Sequence, residues 1–302
     1  MFTLAHLSDV HLPPLPRPRI LDLLSTKRIF GLINWQRRRR VHRRYILNKL
    51  VADLKRQQID HIAVTGDLTN IGLPEEFNRV RDWLAGLGEP ERVTVVPGNH
   101  DAYTPLLRDP GYRRWEPYVS ANEEGERFMG GECVGFPALR LFDDVALIGL
   151  STARPTLPGT AYGRLGRAQV RALASMLVSL KAQGLCRVVL IHHPPIPGMA
   201  PWPRGLHDAT ALYETLCEHG AELVIYGHDH RARVTTIVGP SDSKIPVVGV
   251  SSASLSSRDP EKMARYHLYT IARTNEGGWN ITMRSRVLDM AARHFTEVAS
   301  AL

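Results

Sequence analysis

The chain has 302 residues, 43% of them hydrophobic and 23% charged, with a formal net charge of +8. That composition fits a globular protein with a substantial core and excludes a fibrous or disordered chain. No apolar run approaches the roughly 18–20 residues needed to cross a bilayer. The N-terminus has no basic region followed by a long apolar stretch, so no signal peptide is expected and the cytoplasm is the expected location. Three scattered cysteines, Cys133, Cys186 and Cys217, have neither metal-ligand spacing nor the number for a disulfide framework. Arginine supplies most of the positive charge, and its planar fork suits phosphate, although a basic balance equally serves solubility.

Taken in chain order, short apolar runs end in clusters of Asp, Asn, His and Gly. The run Phe2–Leu7 leads to Asp9, Val10 and His11. An insertion over residues 12–45 follows, with prolines at 13, 14, 16 and 18 and then an apolar stretch containing Leu23, Leu24, Ile29, Phe30, Leu32, Ile33 and Trp35. It closes on Arg37, Arg38, Arg39, Arg40, Arg43 and Arg44. Because it starts directly after His11, the segment can fold over whatever His11 binds. A surface helix pair with its apolar face on the domain and its arginines in water is the plain expectation. The alternative is a cap, or a face docking on anionic lipid, where each basic residue contributes about 1 kcal/mol.

The run His61–Val64 leads to Gly66 and Asp67, and residues 92–96 lead to Gly98, Asn99, His100 and Asp101. Residues 145–150 form a similar run without such a cluster. Residues 187–191 lead to His192 and His193, and residues 222–226 to Gly227, His228, Asp229 and His230. Each run reads as a buried strand. Between them, Pro74, Glu75 and Glu76 open a helix with Phe77, Val80, Leu84 and Leu87 on one face and Gly88 at its stop. Val170, Leu173, Ala174, Leu177 and Leu180 mark another helix, stopped near Gly184. The alternation predicts an α/β fold, one domain over residues 1–302, with a largely parallel βαβ core. The short strands of the C-terminal third are expected to form a second sheet packed on the first.

In open α/β sheets ligands bind beyond the carboxyl ends of the strands, which is where these clusters fall. In extended backbone, residues i and i+2 share a side, so Asp9 with His11, and His228 with His230, are expected to enter one pocket together. Carboxylate, imidazole and amide donors without thiolate suit Mn, Fe, Zn or Co.

This ordered set resembles the calcineurin-like metallophosphoesterase superfamily from Asp9 to His230. The resemblance implies a two-sheet β-sandwich flanked by helices. It implies two metal ions, one held by Asp9, His11 and His230, the other by Asn99, His192 and His228, with Asp67 bridging both. The nucleophile is then a hydroxide between the ions, which also stabilise attacking and leaving oxygens. His100 is the candidate general acid, with Asp101 as its orienting partner. His193 reads as a packing residue.

Within that superfamily the chain lacks the continuation of the second motif found in protein Ser/Thr phosphatases. Asn70 stands where purple acid phosphatases place a tyrosine, and His100 where UDP-diacylglucosamine hydrolases carry arginine. The motifs are similar to those of bacterial class III phosphodiesterases, of cyclic-nucleotide and glycerophosphodiester type. A small phosphodiester is the expected substrate, with Trp202, Arg204 and His207 of the 194–208 loop as candidate contacts, beside the 103–132 loop. The competing readings are a DNA nuclease, a nucleotide-sugar or lipid pyrophosphatase, and an inactive metal-binding scaffold. The length leaves little room for the capping domain such nucleases carry, so nucleic acid is not the expected partner.

Overall fold

The computed structural model describes residues 1–38, 41–105, 111–130, 135–299 and 302. Strand β1 (Phe2–Leu7) is followed by helices α1 (Thr26–Arg38) and α2 (Arg44–Leu54). Next come β2 (His61–Val64), α3 (Pro74–Leu87), β3 (Val93–Val95), α4 (Glu116–Val119) and α5 (Glu123–Phe128). Strands β4 (Ala138–Phe142) and β5 (Val145–Gly149), helix α6 (Arg167–Ala182), β6 (Cys186–Leu190), α7 (Ala209–His219) and β7 (Leu223–Tyr226) form the middle of the chain. It ends with β8 (Arg233–Val238), β9 (Lys244–Gly249), β10 (Arg265–Arg273), β11 (Trp279–Asp289) and β12 (His294–Ala299).

Two six-stranded mixed sheets result, ordered β12-β11-β10-β1-β2-β3 and β4-β5-β6-β7-β9-β8. The expected architecture, an α/β sandwich of two sheets flanked by helices, is present. The expected partition of strands is not. The C-terminal strands do not form a sheet of their own: β8 and β9 extend the sheet of β5–β7, and β10 to β12 extend that of β1–β3. Each sheet thus has a parallel block: β1-β2-β3 at one end of the first sheet, extended on one side by antiparallel β10 to β12, and β5-β6-β7-β9 in the second, flanked by antiparallel β4 and β8. No local sequence feature distinguishes an edge joining one sheet from an edge joining the other.

Period-two alternation explains the layers. Leu4 and Ala63 point inward to a core between the sheets, shared with Val188, Leu190, Ile225 and Tyr269. Their neighbours Ala5, Leu7, Ile62 and Val64 point outward beneath α2 and α3, meeting Leu47, Leu50, Phe77 and Leu84. On the other sheet Val189 and Val224 face outward beneath Leu173, Leu177, Leu212 and Leu216 of α6 and α7. Among the described residues, no helix is long and apolar enough to cross a membrane. Cys186 and Cys217 are not in disulfides, and Cys133 lies outside the described residues.

Three histidines, His6, His61 and His267, are buried in the first sheet and bond the hydroxyls of Thr65, Thr94 and Ser285. Burial, reinforced by His267, Arg140 and Arg265 respectively, pushes their pKa values down, those of His61 and His267 to about 3. The unfolded chain protonates these rings below about pH 6.5, whereas the folded chain resists. Their folded pKa values are depressed, so no stability is lost above pH 6.5, and each ring removes up to about 1.4 kcal/mol per pH unit below it. Denaturant unfolding between pH 6.5 and 4.5 should show this loss, and His61→Gln should lower the pH slope by about one proton. An unchanged slope in that variant would refute the assignment.

Candidate metal centre

The parallel strands of both sheets end at one rim, and the loops leaving them are stitched together. From the first sheet, Asp9 N–H bonds Gly66 O at 2.9 Å and His11 N–H bonds Asp67 O at 2.9 Å. From the second, Gly227 N–H bonds His192 O at 3.1 Å. The seam between them is closed by His192, whose Nδ1–H donates to Thr65 O at 2.6 Å, and by Ser252, whose hydroxyl donates to Asp9 O at 2.6 Å.

Backbone conformation aims the side chains. Asp9, His11, Asp67, His228 and His230 all have positive φ, between 41° and 72°. This left-handed region costs an L-residue roughly 1–2 kcal/mol, and strain of this kind clusters at functional sites. The expectation that Asp9/His11 and His228/His230 converge as extended i, i+2 pairs is therefore corrected. They converge because each left-handed residue turns the chain into the rim. Gly66 and Gly98 allow the close approach. A Cβ on Gly66 (φ +96°) would lie 2.6 Å from Gly98 N, and one on Gly98 would overlap the Asp67 carboxylate.

The seven residues expected to hold ions are brought together. Asp9 Oδ1 is 3.1 Å from His230 Nε2, which is 3.2 Å from His11 Nε2. Asp67 Oδ2 is 3.3 Å from His192 Nε2, which is 3.2 Å from both His228 Nδ1 and Asn99 Oδ1. Donor atoms cluster within 4.8 Å as Asp67-His192-His228 and as His11-Asp67-His100, so Asp67 belongs to both sets. A third cluster, His11-His42-His230, brings in His42, which no strand-end motif contains. Its sequence signal was absent, since it lies among arginines in the insertion.

The donors fit cations. His11 and His192 donate Nδ1–H to the carbonyls of Thr69 and Thr65, which turns each Nε2 inward. Asp9 Oδ1 is buried without a hydrogen-bond donor. Burial favours neutral carboxyls, yet His230 holds Asp9 below the usual carboxylate range, and His192 and His100 hold Asp67 well below it. Burial and neighbouring imidazoles push His11 and His228 down, so both stay neutral. Burial also opposes protonation of His192, but Asp67 pulls it up to about 9.

His100 lies at the same rim, with Nδ1 against Asn70 O and its backbone N–H donating to Asp67 Oδ1 at 2.8 Å. Asp101 does not serve as its orienting partner. The buried Asp101 carboxylate accepts from Leu68 N, Thr69 N and Gly98 N at 2.9–3.0 Å, tying the second and third motif loops together. Burial, then the charge of Asp67, pushes its pKa up to about 7. His100 depends instead on Asn70, and Asn70 on Glu76. That buried carboxylate accepts from Asn70 N (2.6 Å), Ile71 N (3.1 Å) and Leu73 N (3.0 Å). In the sequence Glu76 reads only as a helix-start acid. His193 bonds Thr152 Oγ1 and Ala161 O with its two ring nitrogens, as a packing residue would.

Above the rim is a cavity of about 740 Å³. Gly31, Asn34 and Trp35 of α1 line it, as do Arg204, Arg231, Arg233 and Lys262. Helix α1 is seated there by Arg28, which donates to Gly72 O (2.5 Å), and by Lys27, which donates to Thr156 Oγ1 (2.6 Å). Of the 194–208 loop candidates, Arg204 lines the cavity, whereas His207 stacks on both Trp202 and Tyr162. Tyr103 also lines the cavity, and residues 106–110 and 131–134 of the other loop region lie outside the described residues.

Residues 2–232 match the model of the calcineurin-like phosphoesterases. A probable cyclic nucleotide phosphodiesterase of Synechococcus sp. is 25% identical over 245 residues, 78% of each chain. A glycerophosphodiester phosphodiesterase of Enterobacter lignolyticus is 30% identical over 192 residues, 60% of this chain and 59% of that one. Among solved structures, a dimetal phosphatase from Danio rerio shares the fold, with a TM-score of 0.61 at 14% identity, over 98% of both chains. The strand-end clusters, their meeting at one rim and the match over residues 2–232 make this chain a member of the calcineurin-like phosphoesterase family.

Proposed function

We propose that this phosphoester hydrolase cleaves a small phosphodiester at a dinuclear metal centre. Asp9, His11 and His230 would hold one ion and Asn99, His192 and His228 the other, with Asp67 shared between them. The observation carrying this reading is the Asp67 carboxylate, which stands at the junction of two sets of donor atoms. Mn, Fe, Zn and Co all suit such a donor set. When bound, a pair of such ions supplies hydroxide at neutral pH and neutralises charge on the phosphoryl oxygens.

The chain's own residues do the rest. Arg204, Arg231, Arg233 and Lys262 line the cavity with positive charge and draw in the anionic ester. Asn70 O anchors His100 Nδ1, leaving Nε2 to give a proton to the leaving alkoxide. A diester is favoured because relatives matching 60% and 78% of this chain carry cyclic-nucleotide or glycerophosphodiester names.

The outer face of the insertion adds a location to this activity. Ile20, Leu21, Leu24 and Phe30 are 87%, 74%, 77% and 62% exposed, beside exposed Arg37 and Arg44. Arg39 and Arg40 lie outside the described residues. Large apolar side chains this exposed and this close in sequence suit an interaction surface, and nearby arginines suit an anionic lipid surface. Phe30 lies on α1, which also lines the cavity, and Ile20, Leu21 and Leu24 lie in the turn just before it, so docking there would hold the mouth of the site near the membrane.

Three measurements test these readings. Asp67→Asn removes the shared charge, so bound metal and turnover should fall together; two retained ions with normal rate would overturn the centre. His100→Ala should keep both ions and lose about 10²–10⁴-fold in turnover of an alkyl diester, but less with a nitrophenyl ester that needs no proton. Equal losses on both esters would remove the acid role. Sedimentation with anionic vesicles should be strong at low salt, weaker at high salt, and abolished by combined Leu21→Ser, Leu24→Ser and Phe30→Ser. Absence of binding at low salt would rule out the lipid contact.

A further inference from the structure

Outside the seven residues assigned to the ions, one imidazole faces the same rim from an unrelated part of the chain. His42 lies at the end of the insertion, between α1 and α2. Its backbone is not a loose loop. Arg43 N–H bonds Ser254 O at 2.9 Å and Ser256 N–H bonds Val41 O at 3.2 Å, forming an antiparallel bridge between His42 and Leu255. That partner segment is in turn fastened to the floor of the site, through Ala253 N–H to Ser8 O and the Ser252 hydroxyl to Asp9 O. The position of His42 relative to Asp9 is therefore set by backbone hydrogen bonds and by the Ser252 hydroxyl.

We propose that His42 is a further metal ligand, to the ion held by Asp9, His11 and His230. This rests on the dinuclear reading above. Three observations carry it. Ring nitrogens of His11, His42 and His230 lie within 4.8 Å of one another. The ring centres are 4.5 Å (His11–His42), 5.1 Å (His11–His230) and 5.5 Å (His42–His230) apart. With metal–nitrogen bonds of about 2.1 Å, imidazoles at 90–110° around one ion have centres roughly 4.5–5.5 Å apart. Lastly, His42 Nδ1 is 2.8 Å from Ser254 Oγ. His11 and His192 are oriented in the same way, by an Nδ1 hydrogen bond that turns Nε2 to the site. The consequence is structural as well as chemical. The insertion that lines the cavity would be tied to the metal itself, so uptake of that ion would fasten the wall to the floor.

The test is calorimetric titration of metal-free protein with Mn²⁺, with Co²⁺ absorption as a second readout. Wild-type protein should bind two ions. His42→Ala and His42→Gln should each weaken one ion by at least about 10–100-fold, leave the other unchanged, and alter the Co²⁺ spectrum. Ser254→Ala should weaken the same ion by less. Metal-free melting curves identify a variant that merely fails to fold, and Gln, which keeps a polar group beside Ser254, provides the second variant. If both affinities and the spectrum of folded His42→Gln match wild type, His42 is not a ligand. If wild-type protein itself takes up fewer than two ions, the dinuclear reading fails, a result separate from the comparison between variants.

Discussion

The rim depends on keeping two fully buried carboxylates, Asp9 and Asp67, ionised among imidazoles. Burial alone would neutralise them, and the imidazoles of His230, His192 and His100 reverse that tendency. Within such a cage Asp9 Oδ1 is left without a hydrogen-bond donor from the protein. Cations complete it. The same logic sets the reach of the site, because carboxylates this deep attract an anionic ester only once their charge is overcompensated.

Holding that cage requires strained backbone, and the strain is offset by other carboxylates. Asp101 and Glu76 carry no role at the ions, yet each gathers several backbone N–H groups from loops that have no sheet or helix partner for them. Charged acceptors make these bonds strong. Asp101 fastens the second motif to the third, and Glu76 fastens the loop from which Asn70 O reaches His100. Asp101, two residues after Asn99, therefore serves geometry, while Glu76 at a helix start serves the candidate proton donor.

The two-sheet arrangement gives the site its width. One sheet contributes Asp9, His11, Asp67 and Asn99, the other His192, His228 and His230, so the proposed ligand sets lie across the seam and not within a sheet. Hydrogen bonds from His192 to Thr65 and from Ser252 to Asp9 cross that seam and fix the sets relative to each other. The insertion then supplies one wall, with its inner side at Gly31, Asn34 and Trp35 and its outer side apolar and exposed.

Local chemistry was enough to read most of the strands, helices α3 and α6 and the strand-end clusters, because each is written in consecutive residues: apolar runs, a proline start, a glycine stop, a ligand pair. For β4, β12 and α7 no such mark was read. The α/β class and the family followed from their order along the chain. What sequence could not decide is everything made by residues far apart. The assignment of β8 to β12 between two sheets depends on which exposed edge each strand meets, and that edge exists only after the halves have formed. The backbone at Asp9 and His228 reads as extended by spacing alone, and only the packing of the rim forces it left-handed. Asp101 appeared to belong to its neighbour His100, yet its carboxylate is claimed by N–H groups more than thirty residues away, at Leu68 and Thr69. His42 carried no motif, because its place beside His11 is set by a backbone bridge to Leu255, over two hundred residues later. Hydrogen bonds between distant segments have no local signature, so tertiary structure alone could place these groups.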